Sequence, residues 1–208
     1  MYSISVHKEG LLKMASNQAV AYVGPGEVEV TSIDYPELAL GDRKCEHGVI
    51  LKVVSTNICG SDLHVWRGDM ESGRYGSGES AMGHEMMGRV HCLGAGIETD
   101  SLGVRLMEGD RVVYPYFYPC RRCVVCTSGD LYACPHVWDS GATVGTHPFF
   151  TGAFADYYYL RPGHWVFKVP DELSDDVVAP INCAYSEVTF GLDKAEVRFG
   201  ESIVIQAV

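Results

Sequence analysis

Four cysteines carry the strongest chemical signal in the chain. Cys120, Cys123, Cys126 and Cys134 form a C-x2-C-x2-C-x7-C pattern inside YPCRRCVVCTSGDLYACPH. Thiolates two residues apart in a tight loop can converge on one tetrahedral ion with bonds of about 2.3 Å. The fourth returns after the turn-forming Ser128-Gly129-Asp130. Four sulfur ligands would close the coordination sphere, so this site reads as a structural zinc site, with Arg121 and Arg122 placed to offset part of its negative charge. Two disulfides or an iron–sulfur cluster are the competing readings, and three cysteines so close together make poor disulfide geometry.

A second set is dispersed: Cys59 in NICGSDLHVWRG, His84 and Glu85 in MGHEMMGRV, and Cys183 in INCAYSEVTFG. A catalytic zinc has three protein ligands and an open position for water or substrate. Cysteine, histidine and cysteine fit that donor set. Spacing alone makes this a weak signal, because a lone cysteine most often packs as a small apolar residue.

These residues need elements to hold them. Short β-type segments at Ala19–Val23, Val28–Ile33, Val49–Thr56, Met86–Leu93, Arg111–Tyr116 and Phe154–Leu160, separated by glycine, proline and acidic turns, predict a small barrel or sandwich. The character changes after Pro170. Ser174 is placed to cap a short helix beginning Asp175-Asp176, residues 181–197 read as a helix, and Glu201–Val208 (ESIVIQAV) as a buried strand. A helix and a strand form half an α/β unit, so a fragment is expected.

In this order, the Cys-Gly-Ser-Asp-x-His run at 59–64, Gly83-His84-Glu85, Glu108-Gly109-Asp110-Arg111-Val112, the four-cysteine loop and Gly152-Ala153-Phe154-Ala155-Asp156-Tyr157 resemble the zinc-containing medium-chain dehydrogenase family. The opening VAYVGPGEVEV and HGVILKVVSTNICGSD look most like its glutathione-independent formaldehyde dehydrogenase branch. The resemblance implies a mainly β fold, a GroES-like barrel catalytic domain over residues 15–180. Residues 181–208 would then be the first helix and strand of an α/β Rossmann domain, and residues 1–14 a disordered or mis-assigned extension, with Met14 a candidate start.

It further implies two zinc ions per chain, one structural and one catalytic, with Cys59, His84 and Cys183 holding the catalytic one and Glu85 behind it or binding transiently. Ser61 would accept the substrate hydroxyl proton and pass it toward His64, both lying near the cofactor, while Asp62 would orient His84 by taking its other ring N–H. The implied activity is an alcohol or polyol dehydrogenase that transfers hydride between a CH–OH substrate and NAD or NADP. The Gly-rich turn and the residue that selects the nucleotide come after such a first Rossmann strand, outside this sequence. Relatives usually carry a threonine four residues after the last zinc cysteine; here Glu187 stands there and Thr189 follows, giving Glu187 a candidate ligand role.

The chain has 208 residues, sixteen basic and twenty-seven acidic, for a net charge of −11. That balance argues against nucleic acid or an anionic membrane as the main partner. No secretory h-region and no apolar run of about 18 residues is present, so a cytoplasmic protein is expected, acting on a small-molecule alcohol or aldehyde and a homo-oligomer when full length. The alternative reading is a non-catalytic, zinc-stabilised GroES-like module; a zinc hydrolase leaves Ser61 and His64 without a purpose. Cys45, Cys92, His47, His91, His136 and His164 read as packing or surface residues, and the acidic residues at 171–176 as solvated turn charges. His147, Phe149, Phe150 and Trp66 could border an apolar channel, though packing is the preferred reading. The tyrosines at 157–159 alternate faces, so at least one ring should enter the core.

Overall fold

The computed structural model describes residues 17–40, 43–44, 46–69, 82–136 and 152–206. Expectations about the N-terminal extension and Met14, Cys45, and the loop of His147, Phe149 and Phe150 lie outside the described residues.

Nine strands dominate the described residues, as the turn-punctuated sequence predicts. They are β1 (Asn17–Gly24), β2 (Glu27–Ile33), β3 (Ala39–Leu40), β4 (Arg43–Lys44), β5 (Val49–Asn57), β6 (Glu85–Leu93), β7 (Arg111–Val113), β8 (Tyr157–Leu160) and β9 (Phe167–Lys168). A five-stranded antiparallel sheet runs in the order β8-β5-β6-β7-β9, with the hairpins β1-β2 and β3-β4 beside it in sequence. The β5–β6 pairing shifts register twice, between Ile50 and Leu51 and between Val53 and Ser55. Such bulges bend a strand and raise its twist.

The centre of the sheet is apolar on both faces. Leu51, Met86, Val112 and Tyr158 fill the main core, while Ile50, Tyr159 and partly buried Tyr157 join a second cluster on the other side. The tyrosine run therefore feeds both faces, as period-two alternation requires. Cys92 packs in the second cluster, and His91 stacks edge-on against Tyr35 and Tyr157.

Two sequence motifs are explained by what they stitch together. In Gly152–Tyr157, Ala155 bridges Ala19, the Phe154 carbonyl accepts from Val20 N–H at 2.8 Å, and Asp156 accepts from Gln18 N–H at 3.0 Å. Asn17 acts as an added rung, exchanging 3.0 and 3.2 Å hydrogen bonds with the Tyr157 backbone. In Glu108–Val112, Asp110 pairs with Lys168 at 2.8 Å and Val112 is wholly buried. Arg111 donates to Asp175 at 2.8 Å and to the carbonyls of Leu173 and Pro170 at 2.6 and 2.8 Å. Asp175 is therefore ion-paired, not simply solvated as the acidic run suggests.

Helices appear at α1 (Gly60–Arg67), α2 (Val124–Thr127), α3 (Asp175–Val178) and α4 (Ser186–Lys194). Ser174 sits at the N-cap of α3, but its hydroxyl makes no capping bond to the helix backbone. It bonds the Asp176 carboxylate, helping to hold that group below its ordinary pKa. The single helix predicted over 181–197 is a π-turn at Ile181–Tyr185 followed by α4. The expected strand does not form among the described residues: residues 201–206 join no ladder, and Val204 and Ile205 are 93% and 78% exposed. An apolar run becomes a strand only beside a partner, and none of the described strands pairs with this one. No described helix is long and apolar enough to cross a membrane.

The Arg111 fork fixes the 170–175 segment to β7, and a planar guanidinium is needed to serve three acceptors in one place. Arg111→Lys is expected to lose about 1–3 kcal/mol of unfolding free energy in urea titration, because at least one carbonyl is left without its donor. A second expectation concerns acid. His164 donates from Nδ1 to the Trp165 carbonyl at 2.9 Å, while burial and the charges of Arg161 and Arg121 push its pKa down to about 4. The neutral ring thus stabilises the fold above the unfolded pKa of about 6.5, and that contribution, of the order of 3 kcal/mol, is lost as the pH falls from there toward 4. Thermal melts of the parent and of His164→Gln over this range should differ in slope, with the variant the flatter.

Candidate metal centres

The four-cysteine cluster is built by a short, self-contained stretch of backbone. Arg121 adopts a left-handed φ of 58°, which reverses the chain just after Cys120. Cys123 is the N-cap of α2 and its sulfur accepts from Cys126 N–H at 3.5 Å. The Cys134 sulfur, at the end of a 3-10 turn over Leu131–Ala133, accepts from Cys120 N–H at 3.4 Å. Cys120 and Cys126 place their sulfurs 4.0 Å apart, as do Cys123 and Cys134. A tetrahedron with bonds of about 2.3 Å has sulfurs about 3.8 Å apart, whereas a disulfide needs about 2.05 Å. The donor chemistry and spacing fit one four-thiolate ion.

Of the two arginines beside these cysteines, Arg121 turns its side chain to an aromatic ring and Arg122 acts on sulfur through its backbone. Arg121 lays its guanidinium over Trp165, 4.5 Å from the ring centroid, and Arg161 covers Tyr118 at 3.7 Å. Arg122 contributes its backbone N–H, which draws the Cys120 thiol below its ordinary pKa, whereas burial pushes Cys126 up.

The dispersed residues do converge. The donor atoms of Cys59, His84, Glu85 and Cys183 all lie within 4.8 Å of one another, with the Cys59 and Cys183 sulfurs 4.0 Å apart. The β5–β6 ladder ends with Asn57 opposite Glu85, which sets residues 58–59 beside 83–84. Gly83 has φ 88°, and a Cβ there would sit 2.5 Å from the Phe154 ring, so only glycine allows the chain to turn into His84 at this place. Cys183 arrives on the π-turn, a wide turn that often marks functional positions.

Asp62 ties two of these donors together. Cys59 is the N-cap of α1, and its backbone N–H donates to Asp62 Oδ2 at 2.8 Å while its sulfur accepts from the Asp62 N–H. The other carboxylate oxygen lies 3.5 Å from His84 Nδ1, which turns Nε2 toward the donor set. Burial opposes protonation of His84, but Asp62 and Cys59 outweigh it and hold the ring above its ordinary pKa. Burial, Glu85 and Cys59 together push the Cys183 thiol well up. That many acceptors crowded into a buried space fit a divalent cation.

Ser61 Oγ lies 3.5 Å from His84 Nε2, at the edge of the set. His64 is one turn further along α1, exposed, with Nδ1 3.2 Å from Asp69. Ser61 and His64 share no direct hydrogen bond among the described residues; the His64 ring is instead paired with Asp69. Glu187 is exposed in the first turn of α4 and outside the donor set. Trp66 is partly exposed on α1, and its carbonyl takes the Gly26 N–H at 2.6 Å.

Two neighbours carry no signal in the spacing pattern. Tyr116 stacks edge-on against His84 with ring centroids 5.0 Å apart; burial raises its pKa first, then the charges of Cys183 and Glu187. Asn182, beside Cys183, donates to the His84 carbonyl at 2.9 Å.

The family model for the alcohol dehydrogenase GroES-like domain matches residues 45–171. The chain belongs to that family. This GroES-like chain is 41% identical over 168 residues to a glutathione-independent formaldehyde dehydrogenase of Bacillus subtilis (strain 168), a match covering 76% of the chain and 36% of the relative. A protein of the same name from Pseudomonas aeruginosa (strain LESB58) is 37% identical over 155 residues, covering 74% and 33%. The chain therefore spans about a third of the length of these curated relatives. Among solved structures, an alcohol dehydrogenase from Thermotoga maritima superposes with a TM-score of 0.71 at 24% identity, over 90% of this chain and 49% of that one. The chain thus shares its fold with about half of that solved structure.

Metal stoichiometry separates the two clusters. Elemental analysis of the purified chain is expected to find about two zinc ions, with Cys123→Ser and Cys59→Ser each removing one and the double variant removing both. Loss of both ions from either single variant would show that the clusters are not independent.

Proposed function

We propose that this chain is the catalytic domain of a zinc-dependent alcohol or polyol dehydrogenase, which transfers hydride between a CH–OH carbon and NAD or NADP. The observation that supports it is the convergence of Cys59, His84, Glu85 and Cys183 from three separate segments. Cys59, His84 and Cys183 would hold the catalytic zinc, with Glu85 behind it, and Cys120, Cys123, Cys126 and Cys134 the structural one. Zinc, when bound, supplies Lewis-acid polarisation of an alcohol or carbonyl oxygen.

The chain's own residues handle orientation and the proton. Asp62 fixes the His84 ring with Nδ1 turned away from the site. Ser61, at the edge of the donor set, accepts the substrate hydroxyl proton. His64, exposed at the end of the same helix, delivers it to solvent after a shift of its side chain or through a water. A nicotinamide cofactor, when bound, would supply the hydride acceptor, so that one alcohol would yield one carbonyl and one released proton.

The names of the Bacillus and Pseudomonas relatives direct the substrate reading toward small alcohols and aldehydes. We place the domain over residues 15–180, with 181–208 opening the nucleotide-binding domain, in a cytoplasmic homo-oligomer. The test is alcohol-dependent reduction of NAD+ or NADP+ by the protein that carries this chain. Cys59→Ser is expected to lower kcat/KM by at least about a thousandfold, and Ser61→Ala by about 10²–10⁴-fold. Full activity in a metal-stripped preparation, or in Cys59→Ser, would overturn the proposal.

A further inference from the structure

Asn182 is one of few buried polar side chains, 6% exposed, and it sits where the backbone segments of the dispersed cluster meet. Its Nδ2 donates to the His84 main-chain carbonyl at 2.9 Å, across 98 residues of sequence. A carbonyl oxygen can only accept, so the amide end facing it must be the NH2 group. The other end, Oδ1, is buried with no hydrogen-bond partner among the described residues.

An unpaired buried carbonyl costs stability, and the surroundings would welcome an apolar residue. Val178, Ala179 and Ile181, just before Asn182, pack against Met87 and Val169. A side chain that costs stability at one end holds its place for what the other end does. The bond from Asn182 joins the residue before Cys183 to the peptide unit between His84 and Glu85. Three of the four converging donors are therefore placed, relative to one another, through this one amide.

We propose that Asn182 is a positioning residue for the dispersed metal centre: its N–H to the His84 carbonyl sets the distance of Cys183 from His84 and Glu85, and so the affinity of the site for a divalent cation. This rests on the zinc reading above, and the test separates the two. Co2+ is titrated into the metal-free, reduced full chain against a competing chelator, and the two sites are assigned with Cys59→Ser and Cys123→Ser. If the parent takes up only the ion that Cys123→Ser abolishes, the zinc reading of the dispersed cluster fails. If it takes up two, Asn182→Ala is expected to weaken the dispersed site about 10–100-fold and leave the four-cysteine site unchanged.

Asn182→Asp discriminates donor from filler. The side chains are nearly the same size, so a space-filling role makes Asp the milder change. A donor role makes it at least as damaging as Ala, because a carboxylate facing a carbonyl cannot donate. Parent-like affinity in Asn182→Asp, or an equal loss at both sites in Asn182→Ala, would overturn the proposal. Should neither variant fold, the unmutated chain decides: the Asn182 carboxamide protons should exchange slowly with water in NMR spectra of the zinc-loaded protein, and rapid exchange would count against the role.

Discussion

The Asp62 carboxylate has two oxygens and spends them on two different segments. One takes the Cys59 N–H and closes the N-terminus of α1; the other faces the His84 ring. The cap is reciprocal, since the Cys59 sulfur accepts the Asp62 N–H. A helix start must satisfy its unpaired N–H groups in some way, and here the group that does so is also a candidate metal donor. Helix geometry and donor geometry are thereby one constraint. Neither Cys59 nor His84 can turn away without unmaking the first turn of α1 or leaving a buried carboxylate unpaired, which costs far more than a surface charge would.

What delivers those two segments to Asp62 is the sheet. Because β5 and β6 pair antiparallel with Asn57 opposite Glu85, the loops leaving the two strands emerge side by side. The approach to His84 is braced from the other direction: the Met82 N–H donates to Val20, and the Ala153 and Phe154 N–H groups to Gly83 and Met82. Val20, Phe154 and Gly83 thus form a small backbone frame behind the histidine. The frame explains why Gly83 admits no side chain and why Gly152–Tyr157 reads as a motif although none of its residues offers a donor to the metal.

Local patterns were legible and long-range ones less so. The alternating β-type runs and the four-cysteine loop translate directly, because each is a property of neighbouring residues. The ends of β7 and β8 fall short of the apolar runs that foretold them; residues 154–156 instead make single bonds to Gln18, Val20, Val53 and Met82. The π-turn at Ile181–Tyr185 hid inside a helical pattern, because a one-residue widening leaves the apolar period almost intact. Glu201–Ile205 carried strand composition, yet composition cannot provide the partner edge that makes a strand. Asn182 and Tyr116 were invisible for a related reason: their importance lies in contacts to His84, 98 and 32 residues away.

The two clusters solve the same coordination problem at different entropic cost. Cys120 and Cys134 close a loop of 14 residues, and Cys59 and Cys183 span 124. Loop-closure entropy grows only as the logarithm of length, so the longer closure costs about 2 kcal/mol more. That difference is too small to explain why one site is written as a compact motif and the other is scattered. Under the proposed function, the requirement that separates them is access. A four-sulfur site can be sealed by its own loop, because nothing has to enter it. A site that must admit substrate needs donors from different walls, held by partners such as Asp62 that belong to neither the metal nor the substrate.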